Sequence, residues 1–530
     1  MTTNKDFTYT CPKTWKLFQE GRTKGVFQLE SSLGKSWSKK LGPRNIEELS
    51  ALIAIIRPGS LKAFMTTKAG SKSMTQHYVD RKNKIDEVTY LHPSLEDILS
   101  PTYGVLVYQE QSMRIAQKLA GFNLQEADGL RKAIGKKKAD LMEEVKEKFV
   151  EGCKKEKIVD EETSMEIFSW VEKASRYSFN KSHAVAYAIN SYVTAWYKVH
   201  YTKEFFKTYL DFSSSKPDPH QEIYELVSDA KLFGITVKIP TINNYNIDFR
   251  LDGNCIYFGI KNIKSLTGVN GIKALNSIEE VSHQTDKKSS EFTWMDVLVY
   301  ISPKISKPVF KALASIGFFK TKNINLSRNE ALYQYEIFRS SVNKTENKWV
   351  MEHYEEKKWE SLKDCLIDLQ PTRKNGGGTF SVTRSQAIEN EIYFLDNPPF
   401  SLEDDPRWLI EQEVKLLGCP ISLSRVESSD TSLANITCKE IEGGRHGKNL
   451  FLAGSINKVF NYTIPKGKSK GKVMSFITVE DESCSIDNVI AFPEVREKYE
   501  FVLYENNNLL FNGHIDPKDH SFIIDTIHEI

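Results

Sequence analysis

From Asn449 onward the hydropathy pattern changes period, and this change limits the fold more than any other feature of the chain. Five short runs, Leu450 to Ile456, Val473 to Val479, Asp487 to Phe492, Asn508 to Gly513 and Phe522 to Ile524, are separated by turn residues. Five strands at such spacing suit a small OB-type barrel. The segment after the first strand carries Lys458, Lys466, Lys468, Lys470 and Lys472. On an OB barrel the loop between strands 1 and 2 is a usual meeting place for single-stranded nucleic acid, so Lys466, Lys468 and Lys470 are candidate contacts. The competing reading is a generic barrel with a solvated lysine loop.

Upstream of the barrel the periodicity is helical. A chain of 530 residues with 40% hydrophobic and 11% aromatic content can bury more than one core, so three or more domains are expected. Net charge excludes little: 72 basic residues against 70 acidic ones leave +2, and any nucleic-acid signal must be local. Seven scattered cysteines, without C-x-x-C or a cysteine–histidine cluster, argue against a zinc site and a disulfide scaffold, and point to a reducing cytoplasm. No apolar run approaches the ~20 residues that span a bilayer, so no membrane partner is expected.

Two polar pieces dominate the helical part. The first is Leu130-Arg131-Lys132-Ala133-Ile134-Gly135-Lys136-Lys137-Lys138, read as a helix end at Gly135; the second is Ser178-Phe179-Asn180-Lys181-Ser182-His183-Ala184-Val185-Ala186-Tyr187, read as a loop opening a long aromatic-rich helix. Each gathers cations and small hydrogen-bonding groups beside small residues that let a polyanion approach. Ser182 is the expected N-cap, and the free amides of its first turn, with Asn180, Lys181 and His183, make a ready anion site. Neither piece carries a nucleophile with a base, or a metal-ligand set. They are suited to holding a phosphate chain, whereas the bland alternative for the first is a solubilising charge run.

Other stretches are read as follows. Arg57 lies just past a buried helix, at Arg57-Pro58-Gly59; residues 62–86 are polar and basic and read as a mobile surface segment. Tyr103 to Gln111 is a strand-like run entering a helix, and Ser213 to Pro219 is a linker signal. Gly259 to Ile272, with Lys264, Gly268 and Gly271, resembles a helix-hairpin-helix, whose glycine-bearing turn offers amides to a DNA phosphate. A second candidate, Lys307 to Phe319, lies in a stretch from Pro303 to Asn329 that holds Lys304, Lys307, Lys311, Lys320, Lys322 and Arg328 and no acid, a local excess suited to a duplex backbone. Thr372 to Gly378 and Asp396 to Pro399 are expected breaks in regular structure.

Several segments, in order, resemble the fingers of the bacterial replicative DNA polymerase III alpha subunit (C-family). They are Gly25-Val26-Phe27-Gln28-Leu29-Glu30-Ser31, Arg57-Pro58-Gly59, Pro101 to Gln111, Leu130 to Lys137 and Phe179 to Tyr187. The resemblance implies a multidomain, mainly α chain with a C-terminal β-barrel: helical fingers (1–215), a duplex-binding region with tandem helix-hairpin-helix (216–330), a connecting region (331–445) and an OB-fold (446–530). It implies that Arg131, Lys132, Lys136, Lys181 and His183 hold the triphosphate of an incoming deoxynucleotide. It places Asn180 and Ser182 beside them, and Arg57, Gln109 and Tyr187 near the nascent base pair or as its support. The family's palm contributes three aspartates, two of them as Asp-x-Asp, for two metal ions; no Asp-x-Asp occurs in this sequence. The expectation is therefore a C-terminal half, the product of a split gene such as a bacteriophage would encode, with no catalytic residue of its own. Mg2+ would be bound by a palm-bearing partner chain and the nucleotide. Primer-template DNA would be a partner, with single-stranded template at the barrel. No Gln-x-x-Leu-Phe pentapeptide lies between the hairpins and the barrel, which leaves a sliding clamp unassigned. The alternative is a non-catalytic DNA-binding replication accessory derived from the polymerase.

Overall fold

The computed structural model describes residues 8–67, 70–136, 139–266, 268–375, 382–445, 447–517 and 520–530. The chain divides into two compact units, Met1–Thr202 and Lys203–Ile530.

The first unit is helical: α1 (Pro12–Gln19), α2 (Ser32–Leu41), α3 (Ile46–Ile55), α4 (Pro58–Lys62), α5 (Met74–Lys82), α6 (Glu96–Leu99), α7 (Gln109–Ala120), α8 (Leu124–Lys136), α9 (Ala139–Glu156), α10 (Glu161–Ser175) and α11 (Lys181–His200), with one hairpin, β1 (Phe64–Thr67) and β2 (Gly70–Ser73). Local chemistry sets the ends. Ser31, Asn45, Ser73, Asp160 and Asn180 each accept a first-turn amide, and Gly42 and Gly121 close α2 and α7 in the left-handed region. α3 is apolar on almost every side and buried from Glu48 to Ile55, which makes it the central post against which α11 packs. α7 to α10 enclose their own core, with Ile115, Leu119, Leu130, Phe149, Cys153, Ile167 and Phe168 fully or nearly buried. Gly152 allows this closeness, because a Cβ there would strike the Ala120 carbonyl of α7.

In the second unit, β3 (Thr236–Lys238), β4 (Arg250–Asp252) and β5 (Cys255–Tyr257) form a sheet of order β3-β5-β4, with the hairpin at Asp252-Gly253 where the turn residues lie. One core runs from Phe206 through Leu313 and Phe310 to Leu366 and Leu417, so the segment from Glu330 onward shares it. That segment folds into helices Arg328–Ser341, Lys344–Lys357, Leu362–Asn375, Val382–Asp396 and Pro406–Leu417. Inside it Arg328 and Glu413, both largely buried, form an ion pair at 2.8 Å, and the other Glu413 oxygen accepts the Ile421 and Ser422 amides. Truncating one partner of such a pair typically costs about 3–5 kcal/mol, so it fixes the helices it joins. The barrel consists of β6 (Leu450–Thr463), β7 (Val473–Glu480), β8 (Ser485–Ala491), β9 (Asn508–Ile515) and β10 (Phe522–Glu529), closed in the order β10-β8-β7-β6-β9 with β8 and β10 parallel, the OB arrangement. The molecule is thus mainly helical with a C-terminal barrel, as the periodicity implies.

Several local expectations fail for physical reasons. The described part of 62–86 is not a loose surface: Met74, Thr75, His77, Tyr78, Val79, Asp80 and Arg81 are buried. Their charges pair inward, Lys72 with Asp80 (2.6 Å) and Asp86 (2.8 Å), and Arg81 with the Tyr103 carbonyl. The run from Tyr103 is not a strand; only Tyr108 forms an isolated bridge, to Phe179. The Ser213 stretch is folded rather than loose, with Phe212–Ser215 a 3-10 turn and Ser213 buried. The break expected at Thr372 is helical to Asn375, and Gly376 to Gly378 lie outside the described residues. α8 continues through Gly135 to Lys136.

Candidate functional site

The two polar pieces meet through the start of α7. The Phe179 amide donates to the Val107 carbonyl and the Gln109 amide to the Phe179 carbonyl, both at 2.9 Å. Gln111 holds the turn that makes this possible: its Oε1 accepts the Val107 and Tyr108 amides, and its Nε2 donates to the Ile98 carbonyl and to Thr102. Glu110 then reaches the start of α11. Its two carboxylate oxygens accept the Lys181 amide at 3.1 and 3.0 Å, and one accepts Asn180 Nδ2 at 3.1 Å.

This corrects the expected cap. Asn180, not Ser182, caps α11, accepting the His183 amide at 2.8 Å; Ser182 is an exposed first-turn residue. The first-turn amides are not all open, because a carboxylate already sits where the helix dipole favours negative charge. That carboxylate comes from a residue 71 positions away, which no local pattern could reveal.

Around this junction the predicted residues largely converge. Arg57 donates to the Ala54 and Tyr177 carbonyls and lies 4.1 Å over the Phe179 ring. Phe179 meets His183 at 5.4 Å, His183 meets Tyr187 at 4.1 Å, and Tyr187 meets Phe27 at 5.1 Å, giving a continuous ladder of flat groups along α11. Lys181 Nζ lies 3.3 Å from Glu47 and 5.7 Å over the Tyr108 ring. Gln109 and Arg131 line one cleft with Ser112, Ile134, Ser175, Arg176 and Ser178. At about 130 Å³ it is smaller than a typical ligand pocket. Lys132 does not line it, and the side chains of Lys136, Lys137 and Lys138 lie outside the described residues.

The cations are parked on carboxylates. Asp128 takes both Arg131 (2.7 Å) and Lys132 (2.8 Å), and hydrogen bonds from Lys132 and then Arg131 hold its carboxyl below the usual aspartate range. Its folded pKa being depressed, the pairing is complete at neutral pH and is lost only as pH falls through that lowered value. Arg176 pairs with Glu172 at 2.8 Å. These side chains are substantially exposed, and pairs of that kind contribute only ~0–1 kcal/mol, so little free energy holds the cations to the carboxylates. Arg57 differs: among the described residues no carboxylate pairs with it. Partial burial lowers its pKa, yet a guanidinium stays charged at neutral pH. Arg176 and Asp128 escaped the sequence reading, although Asp128 stands at the i−3 and i−4 positions of Arg131 and Lys132 and could have been found by spacing.

In the second unit the basic stretch from Pro303 to Asn329 is less bare than it reads. Lys304 pairs with Glu280, Lys307 and Lys311 share Glu336, and Arg328 is buried on Glu413. Acids on neighbouring helices arrive where the local sequence has none. Lys320 and Lys322 are exposed and have no acidic partner among the described residues. The Gly317 turn is packed, with its amide and that of Phe318 donating to Ala314 and Leu313 carbonyls, so the second candidate hairpin presents no open turn. In the first, a 3-10 turn (Ile260–Asn262) replaces one helix, and Gly268, at φ 62°, precedes the helix Val269–Thr285. Gly268, Val269, Asn270 and Lys264 are exposed there, whereas Gly271 is buried against Leu266. On the barrel Lys466, Lys468 and Lys470 are exposed between β6 and β7, and Phe460 and Tyr462 stand exposed on the adjoining strand.

Among the described residues no group of three His, Cys, Asp or Glu side chains can hold a metal ion, and no helix is long and apolar enough to cross a membrane. A cation-lined helical face in one unit and an OB-type barrel in the other are features of proteins that handle phosphates and nucleic acids. Residues 2–157 match the family described as bacterial DNA polymerase III alpha subunit finger domain. Over 411 residues, 77% of this chain and 32% of the relative, it is 37% identical to the DNA polymerase III subunit alpha of Aquifex aeolicus. With that of Staphylococcus aureus it shares 28% identity over 507 residues, 95% of this chain and 41% of the relative. The chain is thus related to the bacterial DNA polymerase III alpha subunits along nearly its whole length, and it carries their finger domain. It spans about a third to two fifths of the length of these curated relatives.

If the parked cations are a phosphate site, Asp128→Asn will tighten binding of inorganic triphosphate and Arg57→Ala and Arg131→Ala will each weaken it about tenfold, measured by titration calorimetry; a charged hydrogen bond is worth ~1.5–3 kcal/mol. Unchanged affinity in all three variants would return these residues to a solvated surface.

Proposed function

We propose that this chain is the nucleotide- and duplex-binding portion of a replicative DNA polymerase, acting in template-directed DNA synthesis. In this reading the triphosphate of the incoming deoxynucleotide lies along Arg57, Arg131, Lys181 and His183, with Lys132, Lys136, Asn180 and Ser182 beside it. Gln109 and Tyr187 border the nascent base pair. The observation that carries it is Arg57: a half-buried cation without a carboxylate, stacked on Phe179 at the start of α11, faces the one junction where both polar pieces meet. Relatedness to polymerase alpha subunits supports a deoxynucleoside triphosphate as the substrate class for that junction. The carboxylates for catalysis, and any Mg2+ they hold, belong to palm-type polypeptide outside these 530 residues, since the sequence offers no Asp-x-Asp.

Duplex DNA in this reading lies against Lys264, Gly268, Lys320 and Lys322, and single-stranded template against Lys466, Lys468 and Lys470, where Phe460 and Tyr462 provide faces for base stacking. Lys304, Lys307 and Lys311 stand beside them, in pairs with Glu280 and Glu336 of the same weak kind as those on the phosphate surface.

The chain by itself is expected to show no synthesis on a primed template. Supplied with palm-bearing polypeptide, it should extend the primer, and Lys181→Ala or His183→Ala should lower incorporation far more than DNA affinity. Full-rate extension by both variants would remove the nucleotide-site assignment. Equal loss of incorporation and DNA affinity would favour a DNA-gripping accessory instead.

A further inference from the structure

At the opposite end of α11 from Asn180, a second pair of reactive groups comes together. Cys11 is the residue from which the eight-residue α1 starts, and its Sγ lies 3.2 Å from His200 Nε2 in the last turn of α11. Its backbone amide donates to the Tyr192 hydroxyl at 3.0 Å, which fixes the sulfur against α11. Beneath it the Thr14 hydroxyl is fully buried and has no hydrogen-bond partner of normal geometry among the described residues, although it lies beside both the Cys11 sulfur and the Tyr192 hydroxyl. An orphaned buried donor beside a sulfur favours an acceptor there, and a thiolate is a better acceptor than a thiol.

The cysteines differ sharply in access. Cys153, Cys365, Cys419, Cys438 and Cys484 are buried, and burial pushes the thiols of Cys153 and Cys365 up to about 11 and about 12. Cys11 and Cys255 are half-exposed. For Cys11 partial burial also pushes the thiol up, but the nearby Thr14 hydroxyl and the Thr14 and Lys13 amides, with the Lys13 charge, outweigh it and leave the thiol below its ordinary value. A helix start and an adjacent imidazole are the surroundings in which thiols become nucleophilic.

We propose that Cys11, with His200 as its proton acceptor, is a site of reversible mixed-disulfide formation with low-molecular-weight disulfides. The Cys11 thiol passes its proton to His200 Nε2, and the thiolate attacks one sulfur of the disulfide. A new S–S bond forms at Cys11 as the old one breaks. The leaving thiolate takes up the proton, the Cys11 sulfur is oxidised and the departing sulfur reduced, so the exchange needs no other oxidant. The adduct occupies the place where α1 meets the end of α11 and separates Cys11 from His200.

The test is exposure of the folded chain to oxidised glutathione at neutral pH, with adducts mapped by peptide mass spectrometry. Cys11 should react about tenfold faster than the similarly exposed Cys255, and its pH–rate profile should rise at lower pH than that of Cys255. His200→Gln should slow Cys11 several-fold and leave Cys255 unchanged. Equal rates and superimposable profiles for the two cysteines in the unsubstituted chain would overturn the proposal, independently of whether the variant folds.

Discussion

The candidate site depends on the Glu110 carboxylate at the start of α11. It bonds the Lys181 amide and Asn180, and so ties the beginning of α7 to the beginning of a helix encoded 70 residues later. A carboxylate there also satisfies amides that a helix start would otherwise leave open, and sits favourably in the helix dipole. Two backbone hydrogen bonds between Val107, Gln109 and Phe179 complete the splice. Because α8 follows α7 after the Gly121 turn, fixing α7 also places Arg131 beside Ser178. This contact, with the packing of α8 against α7 and α10, makes the two polar pieces one surface.

On that surface the charges are present but mostly satisfied. Asp128 and Glu172 hold Arg131, Lys132 and Arg176 in place without ligand, and Glu47 approaches Lys181. Pairs this exposed are weak, so they orient the cations without locking them. In the proposed reading a triphosphate, bringing several negative charges at once, takes the place of those carboxylates. Arg57 is the exception that gives the surface its direction, since its guanidinium is held by carbonyls and a ring, not by an acid.

Some of this was legible in the chain itself. The five barrel strands follow from alternation and turn residues, though β6 runs on to Thr463 past a bulge near Asn457 that breaks the expected pattern. The polar pieces follow from composition, and Asn180 is a cap residue as good as Ser182 on sequence grounds. What failed was charge reasoning by local count. The stretch from 62 to 86 reads as a mobile surface because it is polar and basic, yet Lys72 pairs with Asp80 and Asp86 inside the unit and Arg81 bonds the Tyr103 carbonyl. The basic stretch before Asn329 looked unopposed because Glu280, Glu336 and Glu413 are distant in sequence. Partnerships that tertiary structure creates leave no local trace, and the helices after Glu330 were obscure because their apolar faces are shared with a core begun upstream.

The central claim is that α8 and the start of α11 act as one phosphate-binding surface. Hydrogen–deuterium exchange of the chain on primed template, with and without a matched deoxynucleoside triphosphate, addresses it directly. The account predicts added protection in peptides covering both 124–136 and 178–190 when the nucleotide is present. Protection confined to one of them, or found only elsewhere in the chain, would contradict it.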